Sequence, residues 1–122
     1  MEQKKTTLVL GASVNPSRYA YLAIHRLVSH GQRVLPIGLK EGVVAGVSIK
    51  TGMPEREDID TITLYLNARR QKVYYSYLLS LQPRRIIFNP GAENQELETL
   101  ARAAGIEVLN ECTLVMLATG QY

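Results

Sequence analysis

Apolar residues occur along this chain in two patterns, as short continuous runs and as longer stretches with helical spacing. The continuous runs are typical of buried parallel strands, and they occupy residues 6–10, 33–37, 61–66, 85–88 and 106–109. The stretches with apolar residues three and four positions apart predict amphipathic helices at 19–30, 68–81 and 95–104. A short edge strand near 47–50 and a short helix over 111–118 complete the prediction.

This alternation of strands and helices predicts the fold class. Strands that alternate with helices form parallel sheets through right-handed crossovers. We therefore expect a three-layer, Rossmann-like α/β fold, with a parallel sheet of about five strands in the order 3-2-1-4-5 and helices on both faces. A length of 122 residues suits one domain, residues 1–122. Ligands of such sheets bind outside the carboxyl ends of the strands, so loops 11–18, 38–40, 66–68 and 89–91 should meet there.

Composition excludes several classes of protein. The chain has 14 Lys and Arg against 11 Asp and Glu, a net charge of +3 that suits an anionic ligand and is too weak to indicate nucleic acid. No apolar stretch approaches the ~20 residues of a membrane span. A single cysteine, Cys112, excludes an internal disulfide and favours a cytoplasmic location. Two histidines are too few for a metal cluster or a triad, so we predict neither a metal site nor a catalytic residue.

The loop after the first strand is the first candidate for chemistry. It begins with Gly11, Ala12 and Ser13, which are small enough for a tight turn and for close approach of the backbone to a ligand. Backbone N–H groups and the N-terminus of the next helix favour an anion there, and Arg18 adds a positive charge. The alternative is a turn whose residues are small only for packing. Tyr19 either contacts the ligand or packs on its own helix.

The end of the second strand discriminates between nucleotides. NAD-binding Rossmann proteins usually place an acid there to hold the ribose hydroxyls. This chain instead has Pro36, Ile37, Gly38 and Leu39 followed by Lys40. A lysine suits a ribose phosphate, which coenzyme A carries at the 3′ position and NADP at the 2′ position, so both ligands remain open. An exposed loop lysine without a ligand is the third interpretation.

Several short motifs, taken in order, resemble a known family. They are Gly11-Ala12-Ser13 with Pro16 and Arg18, then Val34-Leu35-Pro36-Ile37 with Lys40 and Gly46, and finally Gly105-Ile106-Glu107-Val108 with Cys112. Their order and spacing are similar to those of the small CoA-binding domain family. That family resembles the N-terminal, CoA-binding domain of the succinyl-CoA synthetase alpha subunit. The resemblance covers nearly the whole chain, from residue 7 to residue 112.

The resemblance implies coenzyme A or an acyl-CoA as the ligand, together with a set of contacts. Residues 11–13 would hold the pyrophosphate with Arg18 nearby, and the end of the second strand with Lys40 would line the 3′-phosphate. Loop 66–68 would flank the adenine or the pantetheine, and loop 89–91 would close the pocket near the pantetheine arm. The implied binding residues in the last three segments are Pro36, Ile37, Gly38, Lys40, Leu66, Asn67, Asn89, Pro90 and Gly91.

Two positions depart from the family pattern. Many relatives have a Phe-Arg pair where this chain has Leu66 and Asn67, and they often have Asn at the position of Gly38. The missing arginine would weaken the phosphate contacts. Relatives also carry a cysteine at the position of Cys112, where a thiol either forms a mixed disulfide with the CoA thiol or packs as a small hydrophobe.

Three functions are compatible with these residues. The first is a non-catalytic CoA-binding module that carries or senses CoA or acyl-CoA, without the synthetase domain that holds a phosphorylated histidine. The second is an oxidoreductase that uses NADP in the same cleft. The third is a scaffold for a protein partner, with Arg69, Arg70 and Tyr75 on one helix as the contact surface. Because an edge strand is exposed in such a sheet, a homodimer is a further expectation.

Overall fold

The computed structural model describes residues 5–122, in which strands and helices alternate. The strands are β1 (Thr6–Ala12), β2 (Arg33–Gly38), β3 (Gly42–Val44), β4 (Val47–Ile49), β5 (Ile59–Leu64), β6 (Arg85–Phe88) and β7 (Glu107–Leu109). The helices are α1 (Tyr19–Ser29), α2 (Ala68–Gln71), α3 (Tyr75–Ser80), α4 (Gln95–Ala103) and α5 (Thr113–Ala118), with a 3-10 turn at Lys72–Tyr74. Within this part of the chain, every helix is too short or too polar to span a bilayer.

Five strands form one parallel sheet in the order β2-β1-β5-β6-β7. β1 is an interior strand next to the edge strand β2, and its Leu8 lies opposite Leu35 of β2 on one side and Ile62 of β5 on the other. The chain runs from β1 outwards to β2 and then returns to the opposite side of β1, so the direction of winding reverses between β1 and β5. The predicted α/β fold class is confirmed, and the switch point of the sheet lies at the carboxyl ends of these two strands.

The strand order differs from the predicted one at the edges of the sheet. The prediction places the segment near residues 47–50 beside β2 as an edge strand. In the structure β3 and β4 pair with each other, and they reach the sheet through a bridge between Ile37 and Lys50. Ala45 and Gly46 have φ angles of 53° and 80°, the left-handed geometry that returns a chain directly upon itself. The far edge is formed by β7, which pairs with β6.

The helix predicted over residues 68–81 is interrupted. Only four residues form α2, the 3-10 turn follows, and α3 begins at Tyr75. Val73, which the helical spacing places on the buried side, is 74% exposed, whereas Leu78 and Leu81 are buried. The physical reason is that the Gln71 side chain points inwards and donates hydrogen bonds to the backbone carbonyl groups of Leu66 and Ala92. The first turn is therefore oriented by Gln71 rather than by Val73.

Helices cover both faces of the sheet, as a three-layer fold requires. On one face, α3 and α4 contribute Leu78 and Leu97 to a core that includes Leu8 and Ile62. On the other face, α1, α5 and the β3–β4 hairpin surround Val9 of β1. Successive residues of β1 therefore point into two different cores, as the alternation of side chains along a strand dictates.

The second face carries polar groups along β5 and β6. Thr61 and Thr63 are both buried. They point to the second face because side chains alternate along a strand and Ile62 points to the first. The Thr63 hydroxyl lies 2.7 Å from that of Thr113 in α5. Near the amino ends of the strands, Arg85 Nε donates to Thr61 Oγ1. The first contact attaches α5 to the sheet, and the second joins β6 to β5.

Candidate functional site

Three of the loops expected to meet at the carboxyl edge of the sheet, 11–18, 38–40 and 66–68, are in contact there. The Val14 side chain packs so closely on Gly42 that a Cβ at residue 42 would overlap with it, which joins the loop after β1 to the segment after β2. On the other side, a Cβ at Gly11 would lie 3.0 Å from the backbone carbon of Tyr65 and 3.1 Å from the side chain of Leu66. Gly11 therefore permits close packing of β1 against the loop after β5.

The loop after β1 is held in shape by its own polar residues. Asn15 N–H donates to Ser13 Oγ at 3.0 Å, and Asn15 Oδ1 accepts from both the backbone and the hydroxyl of Ser17. Arg18 N–H donates to the Asn15 carbonyl at 3.0 Å. Ser13 accepts in this arrangement, so its own hydroxyl proton can still be donated to a ligand. Asn15 before a proline is a turn signal that the sequence analysis did not use.

Helix α1 begins directly after this loop with an open N-terminus. Its N-cap residue is Arg18, which makes no side-chain capping hydrogen bond, and its first turn contains no acidic residue. Arg18 is exposed, and Tyr19 is 74% exposed. The first N–H groups of a helix lack partners within the helix and carry a partial positive charge. The predicted anion loop thus ends at an uncapped helix N-terminus with an exposed arginine.

The end of β2 forms a rigid wall from which one cation projects. Pro36, Ile37 and Gly38 are buried, and the backbone of Lys50 bonds to both Pro36 and Gly38 at 2.9 Å. A Cβ at Gly38 would overlap with the carbonyl oxygen of Ala12, so only glycine fits beside β1. Lys40 is exposed, and it is the residue of this segment that could present a charge to a phosphate.

Asn67 caps the short helix after β5. Its Oδ1 accepts from the backbone N–H of Arg70 at 3.0 Å. Leu66 beside it is half-buried, and it packs against the apolar core. Arg69 and Arg70 are exposed on this helix, so two cations lie next to the loop where the family pattern has an arginine in the loop itself.

Asn89 lies in the interior, where its amide fastens α5 to the sheet. It is 2% exposed. Its Nδ2 donates to Thr63 Oγ1 at 2.6 Å and to the Leu64 carbonyl at 2.9 Å, and its Oδ1 accepts from the backbone N–H of Thr113. Both ends of the amide are therefore engaged within the protein. Asn89 can serve a ligand by placing the exposed Pro90 and the following residue rather than through its own amide.

The turn after β6 is exposed and tightly shaped. Gly91 has a φ angle of 94°, and its N–H donates to Glu93 Oε1 at 2.8 Å. The sequence indicates residues 89–91 as site residues, but it does not indicate the buried amides that support them, Gln71 and Asn94. A residue before a helix, such as Asn94, carries a capping signal, and Asn94 Oδ1 does accept from Leu97 N–H. Gln71 carries no comparable signal in the sequence.

Cys112 and Tyr65 lie beside the same buried polar cluster. Cys112 is half-buried at the N-cap position of α5 and makes no capping hydrogen bond with its side chain. The buried Tyr65 hydroxyl faces Thr63 and Thr113 without a well-formed hydrogen bond. Burial raises the pKa of Tyr65 to about 12, so the phenol stays protonated at neutral pH.

Ion pairing leaves the cations of the carboxyl edge free. Across residues 5–122, ion pairs within 4.0 Å involve Arg56, Arg84 and Arg102. The cations near the candidate site are not among them, and they are Arg18, Lys40, Arg69 and Arg70. An unpaired set of cations beside an open helix N-terminus produces a positive potential that attracts phosphate groups.

Two cavities lie away from this edge. One of about 1060 Å³ is open at the amino ends of the strands, with Lys5, Arg33, Arg56, Asp58 and Tyr77 among its lining residues. Another of about 230 Å³ lies between α1 and α5. Acidic and basic groups are mixed in the first cavity, with Glu55, Glu57 and Asp58 among its lining residues. Because acids repel an anion, the carboxyl edge is the better candidate for an anionic ligand.

The fold and this edge define a Rossmann-like α/β domain whose ligand site lies at the switch point of a parallel sheet. More particularly, the chain belongs to the CoA binding domain family, whose pattern matches residues 5–118. This finding confirms the family resemblance seen in the sequence.

Solved structures agree with this assignment. A crystal structure described as that of an uncharacterized protein is 50% identical, covers 99% of this chain and 100% of its own, and superposes with a TM-score of 0.94. A hypothetical protein from Pyrococcus horikoshii OT3 is 25% identical, with 96% and 83% coverage and a TM-score of 0.81. A Thermus thermophilus protein with 24% identity, 98% and 91% coverage and a TM-score of 0.83 shares the fold. A search of curated proteins gave no significant match.

Proposed function

We propose that this chain binds coenzyme A, free or acylated, at the carboxyl edge of its sheet and acts as a non-catalytic binder, carrier or sensor. The observation that carries the proposal is the open N-terminus of α1, which has neither a side-chain cap nor an acid and stands next to unpaired cations. A ligand with several phosphates would satisfy these N–H groups and cations together.

The proposed pose assigns each part of the ligand to one loop. The pyrophosphate lies against Gly11, Ala12 and Ser13 and the first turn of α1, with Arg18 and Tyr19 at its outer side. Lys40 contacts the 3′-phosphate, and the wall formed by Pro36, Ile37 and Gly38 sets the position of that lysine.

The remaining loops accept the uncharged parts of the ligand. Leu66 and Asn67 flank the adenine or the pantetheine, and the turn at Asn89, Pro90 and Gly91 closes the far side. The polar side chains assigned to the ligand in this pose are cations, amides and hydroxyls, which bind phosphates and position a ligand. This set supports binding rather than a reaction as the function of the domain.

Isothermal titration calorimetry with CoA, dephospho-CoA and NADP tests the proposal. We expect CoA to bind with a Kd well below about 1 mM, and we expect removal of the 3′-phosphate to weaken binding roughly tenfold, since one charge-assisted contact is lost. NADP should bind more weakly than CoA. If CoA fails to bind below about 1 mM, or if NADP binds more tightly, the proposal is wrong.

A further inference from the structure

The buried side chain of Gln71 bridges the two loops that follow β5 and β6. Gln71 has no exposed surface. Its Nε2 donates to the carbonyl oxygens of Leu66 and Ala92, each at 2.8 Å, and its Oε1 accepts from Asn94 Nδ2 at 2.8 Å. Both N–H groups and the oxygen of the amide are therefore engaged.

This bridge holds the loops at a fixed separation. Two carbonyl oxygens that accept from one nitrogen are no farther apart than the sum of the two hydrogen-bond lengths, so Leu66 and Ala92 are clamped together. Asn94 Nδ2 also donates to the Tyr75 hydroxyl at 2.8 Å, which ties α3 to the same bridge. A fully satisfied polar network in a low-dielectric interior gives a unique geometry more than it gives stability.

Of the two bridged loops, the one after β6 is suited to an uncharged group, whereas the one after β5 leads into the exposed Arg69 and Arg70 of α2. The segment 89–94 contains no basic residue, and its one acid, Glu93, bonds to the N–H of Gly91. The free cation of the β2 end, Lys40, and the open N-terminus of α1 lie on the opposite side of the switch point. Phosphates therefore belong near β1 and β2 or beside α2. The uncharged arm of a ligand belongs beside segment 89–94, in the gap between the loops that Gln71 joins.

We propose that Gln71 is a positioning residue: without touching the ligand, it sets the gap between loop 66–68 and segment 89–94 through which the uncharged arm passes. This inference rests on the proposed CoA-binding function. The role of Gln71 differs from a purely structural one, because loss of its hydrogen bonds should weaken the contacts of the uncharged arm and leave the affinity for the nucleotide part of the ligand unchanged.

The test compares CoA with adenosine 3′,5′-bisphosphate, which has no pantetheine arm, by calorimetry on Gln71→Met. Methionine has a similar length and donates no hydrogen bond, so both loops lose their common anchor. We expect CoA to bind about tenfold more weakly, as loss of a well-placed interaction typically costs, and the bisphosphate to bind as before. A matched control is Thr61→Val, which removes a buried hydrogen-bonding group near the amino ends of the strands and should leave both affinities unchanged.

A milder variant keeps the test decisive if Gln71→Met does not fold. Tyr75→Phe removes only the outer hydroxyl of the bridge, and we expect CoA alone to weaken by about threefold. Unchanged CoA affinity in a folded Gln71→Met protein, or equal weakening of both ligands, overturns the inference and leaves the proposed function standing. If the unaltered protein binds the bisphosphate but not CoA, or neither, the proposed function fails and the inference fails with it.

Discussion

At the amino edge of the sheet, each acid next to a strand has a basic partner, and at the carboxyl edge the cations have none. Arg56 lies 2.7 Å from Asp58, and Arg84 lies 3.0 Å from Asp60. Arg18 and Lys40 take part in no ion pair within residues 5–122. The acids next to strands at the amino edge are thus used for contacts within the fold. Within residues 5–122, Arg33 at that edge is outside any ion pair, as are the cations at the carboxyl edge.

The N-termini of the two longer helices differ in the same way. At α4, Asn94 caps the helix, and Glu96 and Glu98 occupy the first turn, so the partial positive charge is satisfied internally. At α1, the cap is Arg18, and the first turn contains no acid. A cation at this position is unfavourable for an isolated helix, and an anion from outside the chain, as proposed above, would complete it.

The largest expected effect is a loss of stability on replacing Asn89, a polar residue of the carboxyl edge whose hydrogen bonds are all made within the protein. Asn89→Ala should lower the free energy of unfolding by about 3 kcal/mol, because it leaves buried partners, including the Thr113 N–H, without a hydrogen bond. Urea denaturation measures this change. The control is Pro90→Ala next to it, which is exposed and should change little. A loss below about 1 kcal/mol would show that the amide is free for other tasks.

The next largest effect concerns the unpaired cations. Arg18→Ala and Lys40→Ala should each weaken CoA binding about tenfold, because each removes one charge-assisted contact to a phosphate. Lys40→Ala should also abolish the preference for CoA over dephospho-CoA, which Arg18→Ala should retain. Calorimetry at two salt concentrations measures both properties.

Arg102→Ala provides the control for these two variants. Arg102 pairs with Glu98 on α4, so its removal changes the net charge equally and takes nothing from the site. Equal weakening in all three variants would show that net charge, rather than the position of the cations, governs binding.

The sequence predicts those parts of the molecule that depend on local patterns. The strands, α1 and the loops at the carboxyl edge follow from runs of apolar residues, helical spacing and glycines. The alternation of Thr61 and Thr63 with Ile62 also predicts two different faces on β5, although the partners of the threonines come from residues far along the chain.

What the sequence does not predict depends on such distant partners. Gln71 reads as a surface residue of a regular helix, yet it is buried because the carbonyl of Ala92, 21 residues later, needs a donor. The hairpin of β3 and β4 depends on the left-handed conformation of Ala45, which no propensity favours. The absence of ion pairs at Arg18 and Lys40 within residues 5–122 likewise depends on the tertiary structure, which decides which acids lie near which cations.

The smallest expected effect is a pH-dependent change in stability at the amino edge, where Arg56 and Asp58 form an ion pair. The guanidinium of Arg56 hydrogen-bonds to Asp58, and together with the Thr6 hydroxyl it lowers the pKa of that carboxyl from 3.8 to about 2. Because the folded-state pKa is below the unfolded one, the pair stabilises the fold above pH ~4, and this contribution is lost as the pH falls towards ~2. Both side chains are about one-third exposed, so solvent screening reduces the contribution to about 1 kcal/mol.

Asp58→Asn tests this part of the comparison. Urea denaturation between pH 7 and pH 2 should show the variant about 1 kcal/mol less stable at neutral pH, with the difference shrinking towards zero at the acidic end. Glu57→Gln removes the same charge from an exposed neighbour that is in no ion pair with residues 5–122, and it should match the unaltered protein at pH 7. CoA affinity should be unchanged in Asp58→Asn, because the pair lies at the edge opposite the ligand. A difference in stability that persists at pH 2, or a weaker affinity, would mean that the two edges do not divide their charges between fold and ligand.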